Sequence, residues 1–402
     1  MLEKLIFVIN CGSSSLKFSV INPIKKKKIL YGLAENFNDK SSIIWNFNNK
    51  KNEITFNNKI THKFVLNYII KEIFKKYSLY DNIVGIGHRI VHGGNKFTNS
   101  TLITDIVLKE IKRASVFAPL HNPIQIVGIK KIKTILPHLK NKQVAVFDTS
   151  FHQTMPIESY LYGLPIKFYK KYKIRRYGAH GTSHKYVTKV AAKFLNIELN
   201  NFNCISCHLG NGSSITAINN GKSIDTSMGL TPLEGLVMGT RCGNIDPAII
   251  FYMYDKLNFN INKIYNILTQ KSGMLGLTNI TSDFRYIEEN YYKNKNIKIA
   301  TNVFIHSLIK YIASYSVLMN NKINAIIFTG GIGENSVLIR EKTIKKLKIL
   351  KFFIDKNLNY KTKQGKMGII STHLSIPILV IPTNEELMIA QDTFKIINNL
   401  KY

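Results

Sequence analysis

The stretch Asn10 to Val20, NCGSSSLKFSV, follows the apolar run LIFVI, and CHLGNGSSITAI around Cys207 repeats its form much further along. Each reads as strand, glycine–serine bend, strand. In the first, Leu16, Phe18 and Val20 alternate with Lys17 and Ser19, the period of two expected of a strand. Aligning Ser15 with Ser214 sets Leu16 against Ile215 and Phe18 against Ala217, so the inward faces agree. A hairpin repeated nearly half a chain apart implies two similar domains, each offering a polar bend toward a shared cleft. Hydroxyls and backbone N–H groups at such bends suit phosphate, and both are expected to grip it, from opposite sides. The loop of the P-loop NTPases is a different structure. It needs G-x-x-x-x-G-K-[ST] followed directly by a helix, whereas Lys17 is followed by Phe18 and strand periodicity.

Length and charge bound the remaining options. At 402 residues the chain is long for one core, and 45% hydrophobic residues are ample for two. Lys+Arg 56 against Asp+Glu 24 leaves +32, which on its face suggests nucleic acid or an anionic membrane. The lysines, however, are spread along the chain among many Asn and Ile, and the run Lys25 to Lys28 beside Pro23 reads as a solvated turn. Neither a nucleic-acid nor a membrane partner is expected. The start MLEKLIFVIN lacks the features of a signal peptide, and no uninterrupted apolar stretch would span a bilayer. The expected location is the cytoplasm.

The coarse pattern alternates α and β. Strands are predicted at LIFVI, LKFSV, NIVGIGH, QVAVFD, FNCISCHL, SSITAI, NAIIFTG and PILVIP. Helices are predicted at Lys63 to Tyr77, Pro123 to Ile135, Tyr186 to Phe194, Val303 to Met319 and Glu334 to Leu347, with meandering strands from Asn36 to Lys59. Cys204, Cys207 and His208 spell C-x-x-C-H, a haem or metal pattern. Residues three apart on a strand face opposite sides, so these sulfurs should not converge, and buried structural cysteines are the expectation.

A third glycine-rich element is IIFTGGIGENS, Ile326 to Ser336. Glycines after a buried strand let backbone approach a flat ligand or a phosphate, and a helix beginning near Glu334 favours anions. Ser336 stands where a Rossmann motif needs its third glycine. Hairpin, second hairpin and Gly-rich adenosine loop, in that order, resemble the acetate and sugar kinase/Hsc70/actin superfamily. Within it the chain is similar nearly end to end to the acetate kinase family, through VINCGSSSLKFSV, GHRIVHGG, FAPLHNP, FDTSFHQTMP, RRYGAHGTSH, HLGNGSS, TPLEGLVMGTRCGNIDP, GGIGEN and TNEELMIA. Cys11, Cys242 and Asn244 depart from the family's alanine, serine and aspartate. The last removes a negative charge near Arg241.

The resemblance implies duplicated ribonuclease-H-like (actin-like) α/β domains flanking a central nucleotide cleft. The N-terminal domain would comprise 1–150 plus 386–402, on the acetate and phosphate side, and the C-terminal domain 151–385, on the nucleotide side. It further implies a homodimer, and reversible phosphorylation of acetate by ATP with Mg²⁺ (Mn²⁺ as a substitute), giving acetyl phosphate and ADP. Closure of the domains over the nucleotide would exclude water.

Arg89 in HRIVHGG is assigned to the acetate site, where a planar guanidinium fork matches a carboxylate. Asp148 ends the strand QVAVFD, where α/β proteins place ligands. Acetate is already ionised near neutrality, so Asp148 is expected to organise the site electrostatically rather than act as a base. His180 and Arg241 correspond to the transition-state stabilisers. His180 and His184 stand four apart, a zinc-like spacing, but Gly181 and Thr182 read as loop and no third ligand follows nearby. Asn211, within the segment His208, Leu209, Gly210, Asn211, Gly212, would hold phosphate, and Lys17 would neutralise it. Asp283, Phe284 and Arg285 match a nucleotide-binding segment, and Gly331, Ile332, Gly333, Glu334 and Asn335 the adenosine loop. Thr383 with Glu386 would form a capping box, leaving Glu385 free to join Asn10 near Mg²⁺.

The nearest rival is a propionate or other short-chain carboxylate kinase on the same scaffold. A chaperone-like ATP switch would have no use for Arg89, and a nucleic-acid binder would need a clustered basic face.

Overall fold

The run LIFVINC forms β1 (Leu5–Cys11), turns at residues 12–15 and returns antiparallel as β2 (Leu16–Asn22), with Asn10 opposite Lys17 and Cys11 opposite Leu16. Gly12 N donates to Ser15 O at 2.9 Å and closes the turn. Lys17 alone on β2 is exposed while Leu16, Phe18 and Val20 are buried, as the alternation predicts. The computed structural model describes residues 3–35, 37, 41–319 and 322–401. Within it the chain divides into two compact units, Met1–Gln153 with Asn384–Tyr402, and Thr154–Thr383.

In the first unit β3 (Lys27–Glu35), β4 (Ser41–Phe47) and β5 (Lys50–Phe56) continue the antiparallel meander. Strands were expected here, although residues 36 and 38–40 lie outside the described residues. On the other side of β1 come β6 (Ile83–Ile90) and β8 (Gln143–Phe147), both parallel, and then β7 (Thr101–Leu102), antiparallel at the edge. The sheet order is β5-β4-β3-β2-β1-β6-β8-β7. The helix Glu385–Asn398 packs on β6, where a Cβ on Gly87 would stand 2.5 Å from Ile389 and 2.6 Å from Thr393. Only glycine permits that approach.

The second unit contains β9 (Cys204–Leu209), β10 (Ser213–Asn219), β11 (Lys222–Thr226), β12 (Ala325–Thr329), β13 (Gly368–Ile369) and β14 (Ile378–Val380). Its order, β11-β10-β9-β12-β14-β13, repeats β3-β2-β1-β6-β8-β7 strand for strand, with every pairing in the same sense. Cys207 lies opposite Ile215 as Cys11 lies opposite Leu16. The second hairpin then runs two pairs further, through His208–Ser214 and Leu209–Ser213, before bending at 210–212. Cys204 and Cys207 are free and fully buried, and burial pushes the Cys204 thiol up to about 12.

Several helix starts differ from the sequence reading. The helix predicted from Tyr186 spans Gly181–Phe194, so Gly181 and Thr182 are helical rather than loop. The one predicted from Val303 spans Lys295–Leu318, because Asn294 caps Asn296 N and Ile297 N at 2.9 and 3.1 Å. After β12 the chain enters a helical turn at once, Gly330–Asn335, and resumes as Val337–Lys345 after Ser336. Polar and glycine-rich first turns hide the apolar period that would have announced them.

Candidate active site

Three predicted residues meet in the first unit. β6 and β8 are parallel neighbours, which brings Arg89 of β6 beside Asp148 at the end of β8. Arg89 Nε donates to Asp148 Oδ1 and Oδ2 at 3.2 and 3.1 Å, and Nη2 donates to Oδ2 at 2.6 Å. Glu385, the first residue of the C-terminal helix, places Oε2 3.6 Å from Arg89 Nε. Burial works against the Arg89 charge, but Asp148 and Glu385 outweigh it and hold the guanidinium protonated well above its usual range. Burial raises the Glu385 carboxyl, Arg89 opposes this, and the Asp148 charge raises it further. Behind them His88 Nε2 meets Gln143 Oε1 at 2.8 Å, and burial drives that imidazole down to about 4, so it is neutral.

The expected Thr383–Glu386 capping box does not form. Asn384 is the cap, accepting from Leu387 N at 3.0 Å, so the helix begins one residue later than a Thr383 cap requires. Thr383 instead gives its N–H to Glu334 Oε1 at 3.0 Å and its hydroxyl to a bond with Ser183. Glu386 pairs with Lys28 at 2.8 Å, and Glu385 is tied to Arg89 rather than free. Asn10 and Lys17 stand opposite each other across β1 and β2, and the Lys17 charge reaches Glu385.

In the second unit the bend after β9 is closed by Ser213, whose hydroxyl takes Gly210 N at 3.2 Å and donates to Gly210 O at 2.9 Å. Gly239 N donates to Asn211 O at 3.0 Å, and a Cβ on Gly239 would run into Asn211 Oδ1. His180, left-handed at φ 56°, precedes the helix Gly181–Phe194 and stacks on His208 at 4.3 Å. Arg241 Nη1 donates to Pro232 O at 3.0 Å. Among the described residues no carboxylate forms an ion pair with Arg241, and burial lowers its pKa, with Tyr265 opposing. Arg241 Nη1 and His180 Nε2 converge. They lie 3.2 and 3.6 Å from the point a Cβ on Gly212 would occupy.

Asn244, the position that departs from the family's aspartate, takes Gly235 N on Oδ1 and donates Nδ2 to Tyr311 OH, both at 2.8 Å. Its amide thus braces the loop before Arg241 and hydrogen-bonds neither Arg241 nor its carbonyl partner.

A cavity of about 370 Å³ opens beside the bend. Gly210, Asn211, Asp283, Phe284, Arg285, Gly331, Ile332 and Asn335 line it, with Ser282, Glu288 and Ser336, which sequence reasoning missed. Glu288 stands four residues after Phe284 on the helix Phe284–Asn290, and that spacing was the available signal. Asp283 caps this helix and forks with Arg285 through three contacts of 2.6–3.1 Å. Gly330 (φ 77°) is required, since a Cβ would come 2.7 Å from Leu209 O, whereas Gly331 leaves open space. Leu209 and Gly333 are buried beneath the turn, and Glu334 turns inward to Gly330 N (2.9 Å) and Thr383 N.

The model of the Acetokinase family matches residues 5–391. The chain belongs to the acetokinase family. It is 55% identical to the acetate kinase of Wigglesworthia glossinidia brevipalpis, over 98% of this chain and 99% of that protein. It is 54% identical to that of Buchnera aphidicola subsp. Schizaphis graminum, over 99% of each. Among solved structures, a propionate kinase from Francisella tularensis matches with TM-score 0.92 and 45% identity, covering 98% of this chain and 99% of that one. Porphyromonas gingivalis acetate kinase matches with TM-score 0.91 and 36% identity, covering 98% and 100%. The repeated sheet order is therefore the duplicated actin-like fold of this family.

The buried arginine beneath the turn also belongs to this geometry. Arg340 donates Nε to Asn359 Oδ1, Nη1 to Gly333 O and Glu334 O, and Nη2 to Asn359 O and Thr362 O, all within 2.7–2.9 Å. All five N–H groups are thus used, and two of them hold carbonyls at the end of the turn after β12.

Proposed function

We propose that this chain catalyses reversible, Mg²⁺-dependent transfer of the γ-phosphoryl group of ATP to acetate, giving acetyl phosphate and ADP. One observation carries the reading. Arg241, partly buried and without a carboxylate partner among the described residues, aims Nη1 at the same point as His180 Nε2, beside a cavity bounded by a glycine turn. Two such donors are suited to charge spread over a phosphoryl group in flight. The nucleotide-binding residues are Lys17, from the first unit, with His208 to Gly212, Asp283 to Arg285 and Gly331 to Asn335, and Arg89 takes the carboxylate. Asp148 fixes the Arg89 fork, a lighter task than proton abstraction from an acid already ionised. We assign the acetate and phosphate side to the first unit, residues 1–153 with 384–402 rather than the expected 1–150 with 386–402, and the nucleotide side to residues 154–383.

The donor set fits a hard dication. Asp148 and Glu385 bring two carboxylates to one guanidinium, with Glu385 strained toward its neutral form by burial and by Asp148. Glu385 and Asn10 would hold Mg²⁺, an ion bound through few carboxylates and several waters, which neutralises phosphate charge.

A propionate kinase is the second reading, supported by the match to the Francisella tularensis structure. One methylene changes discrimination by only about 1–3 kcal/mol. Trapping acyl phosphate with ATP, Mg²⁺ and acetate, propionate or butyrate tests both. Acetate should give the highest kcat/KM, and a preference for butyrate or an acid-independent ATPase would refute the proposal. A homodimer is supported by the exposed apolar side chains of the helix Ala248–Asp255, among them Phe251, Tyr252 and Tyr254. Light scattering should return twice the chain mass. A cytoplasmic setting agrees with the described residues, in which no helix is long and apolar enough to cross a membrane.

A further inference from the structure

His180 is not alone at its end of the fold. Its Nδ1 lies 3.0 Å from Ser214 Oγ, and the same oxygen lies 2.7 Å from His184 Nε2. His184 Nδ1 in turn lies 2.8 Å from Ser206 Oγ. Ser206, His184 and Ser214 are fully buried, and Thr188 Oγ1 donates to His184 O at 2.7 Å, holding that turn of helix in place. The two histidines spaced four apart are thus joined through a hydroxyl supplied by β10.

A serine hydroxyl carries one proton and two lone pairs, so Ser214 Oγ can donate to at most one of the two imidazole nitrogens and must accept from the other. If both rings donate to Ser214 Oγ, its own proton is left without an acceptor, because these two nitrogens are its hydrogen-bond partners among the described residues; two directed chains then remain for neutral rings. In one, Ser206 donates to His184 Nδ1, His184 Nε2–H donates to Ser214, and Ser214 donates to His180 Nδ1. His180 Nε2 then carries the hydrogen, near the point beside Gly212 that Arg241 Nη1 also approaches. In the other, every bond reverses and His180 Nε2 shows a bare lone pair. The reverse direction also leaves the Ser206 proton without an acceptor, since His184 is the hydrogen-bond partner of Ser206 Oγ among the described residues. An unpaired buried hydroxyl is costly, which favours the first direction.

We propose that Ser206, His184 and Ser214 are positioning residues that lock neutral His180 as its Nε2–H tautomer, a ready-made donor to the phosphoryl group in transit. The proposal rests on the phosphotransfer reading for its function but not for its geometry. The logic is that of a ring nitrogen whose partner dictates which nitrogen carries the proton. Because the chain supplies the correct tautomer before substrate arrives, no proton must move to ready His180 for the transfer step.

The test uses the full-length protein with ¹⁵N-histidine, His180 resonances being assigned from a His180→Asn sample. Long-range ¹H–¹⁵N spectra at neutral pH should show the wild-type ring protonated at Nε2. Ser214→Ala should mix the tautomers and lower kcat by about 10–100-fold with KM for acetate and ATP held within about threefold, the signature of a donor that acts in the transition state. Ser206→Ala, which touches neither His180 nor ligand, should shift the same resonances and lower kcat more mildly. It decides the matter if Ser214→Ala fails to fold. A wild-type ring protonated at Nδ1, an unchanged His180 spectrum in the variants, or a loss confined to KM would overturn the proposal. Absence of acetate phosphorylation in the wild type would sink the kinase reading, while the tautomer spectra would still decide the chain.

Discussion

Gly212→Ala should abolish most of the turnover while leaving the fold intact. The added methyl would occupy a point 3.2 Å from Arg241 Nη1 and 3.6 Å from His180 Nε2. An oxygen stabilised by both donors must sit about 2.7–3.1 Å from each, so it competes for nearly the same volume. Displaced by a methyl, it loses one donor or both. One lost donor of this kind lowers kcat by about 10²–10³-fold, and two acting as a unit do not simply multiply. A fall of about 10³-fold is expected. The backbone at Gly212 is not in the left-handed region, and the tight neighbour is the end of an arginine side chain, so the urea midpoint should hold. KM for ATP should change much less than kcat, because Gly212 lies at the phosphoryl end of the proposed nucleotide segment and outside the residues that line the 370 Å³ cavity. The assay is acyl-phosphate trapping at saturating acetate and MgATP. A folded variant with kcat within about threefold of wild type would refute the convergence of the two donors on the reacting group.

Arg241→Ala should lower kcat by about 10²–10³-fold, and near-normal turnover would remove it from the site. Glu385→Ala should raise the magnesium concentration needed for half-maximal activity without altering the circular dichroism spectrum, and an unchanged magnesium titration would contradict its role. Arg340→Met should lose about 3–5 kcal/mol in urea unfolding, because five buried acceptors lose their donors together, and should raise KM for ATP through the loosened turn. His88 takes up its proton near 6.5 when unfolded but only at about 4 when folded. Its contribution is thus present above 6.5 and lost as pH falls toward 4. His88→Gln should therefore lose less stability than wild type between pH 7 and 5, by about 2 kcal/mol in matched urea titrations, and parallel curves would contradict it.

Much of the architecture was legible because strand periodicity is local. The alternation in LKFSV and the glycine–serine bends announced both hairpins, and the strand-end positions of Asp148 and the glycine turn marked where ligands were to be expected. Pairing between distant polar groups was not legible. TNEEL offers two plausible caps, and the choice of Asn384 over Thr383 followed from Thr383 being held by Glu334 and Ser183. Glu288 escaped notice until its helix turned it toward the cavity.

The residues by themselves determined that two related sheets would form, which side chains would fill them, and which polar bends would remain at their ends. Tertiary structure alone decided that Arg89 would fork onto Asp148, that Ser214 would bridge two histidines, and that Arg340 would hold the turn after β12 from below. The reason is range. Burial patterns are written in neighbours two to four residues apart, whereas a hydrogen bond needs donor and acceptor within about 3 Å, a condition that only the folded chain can meet for segments far apart in sequence.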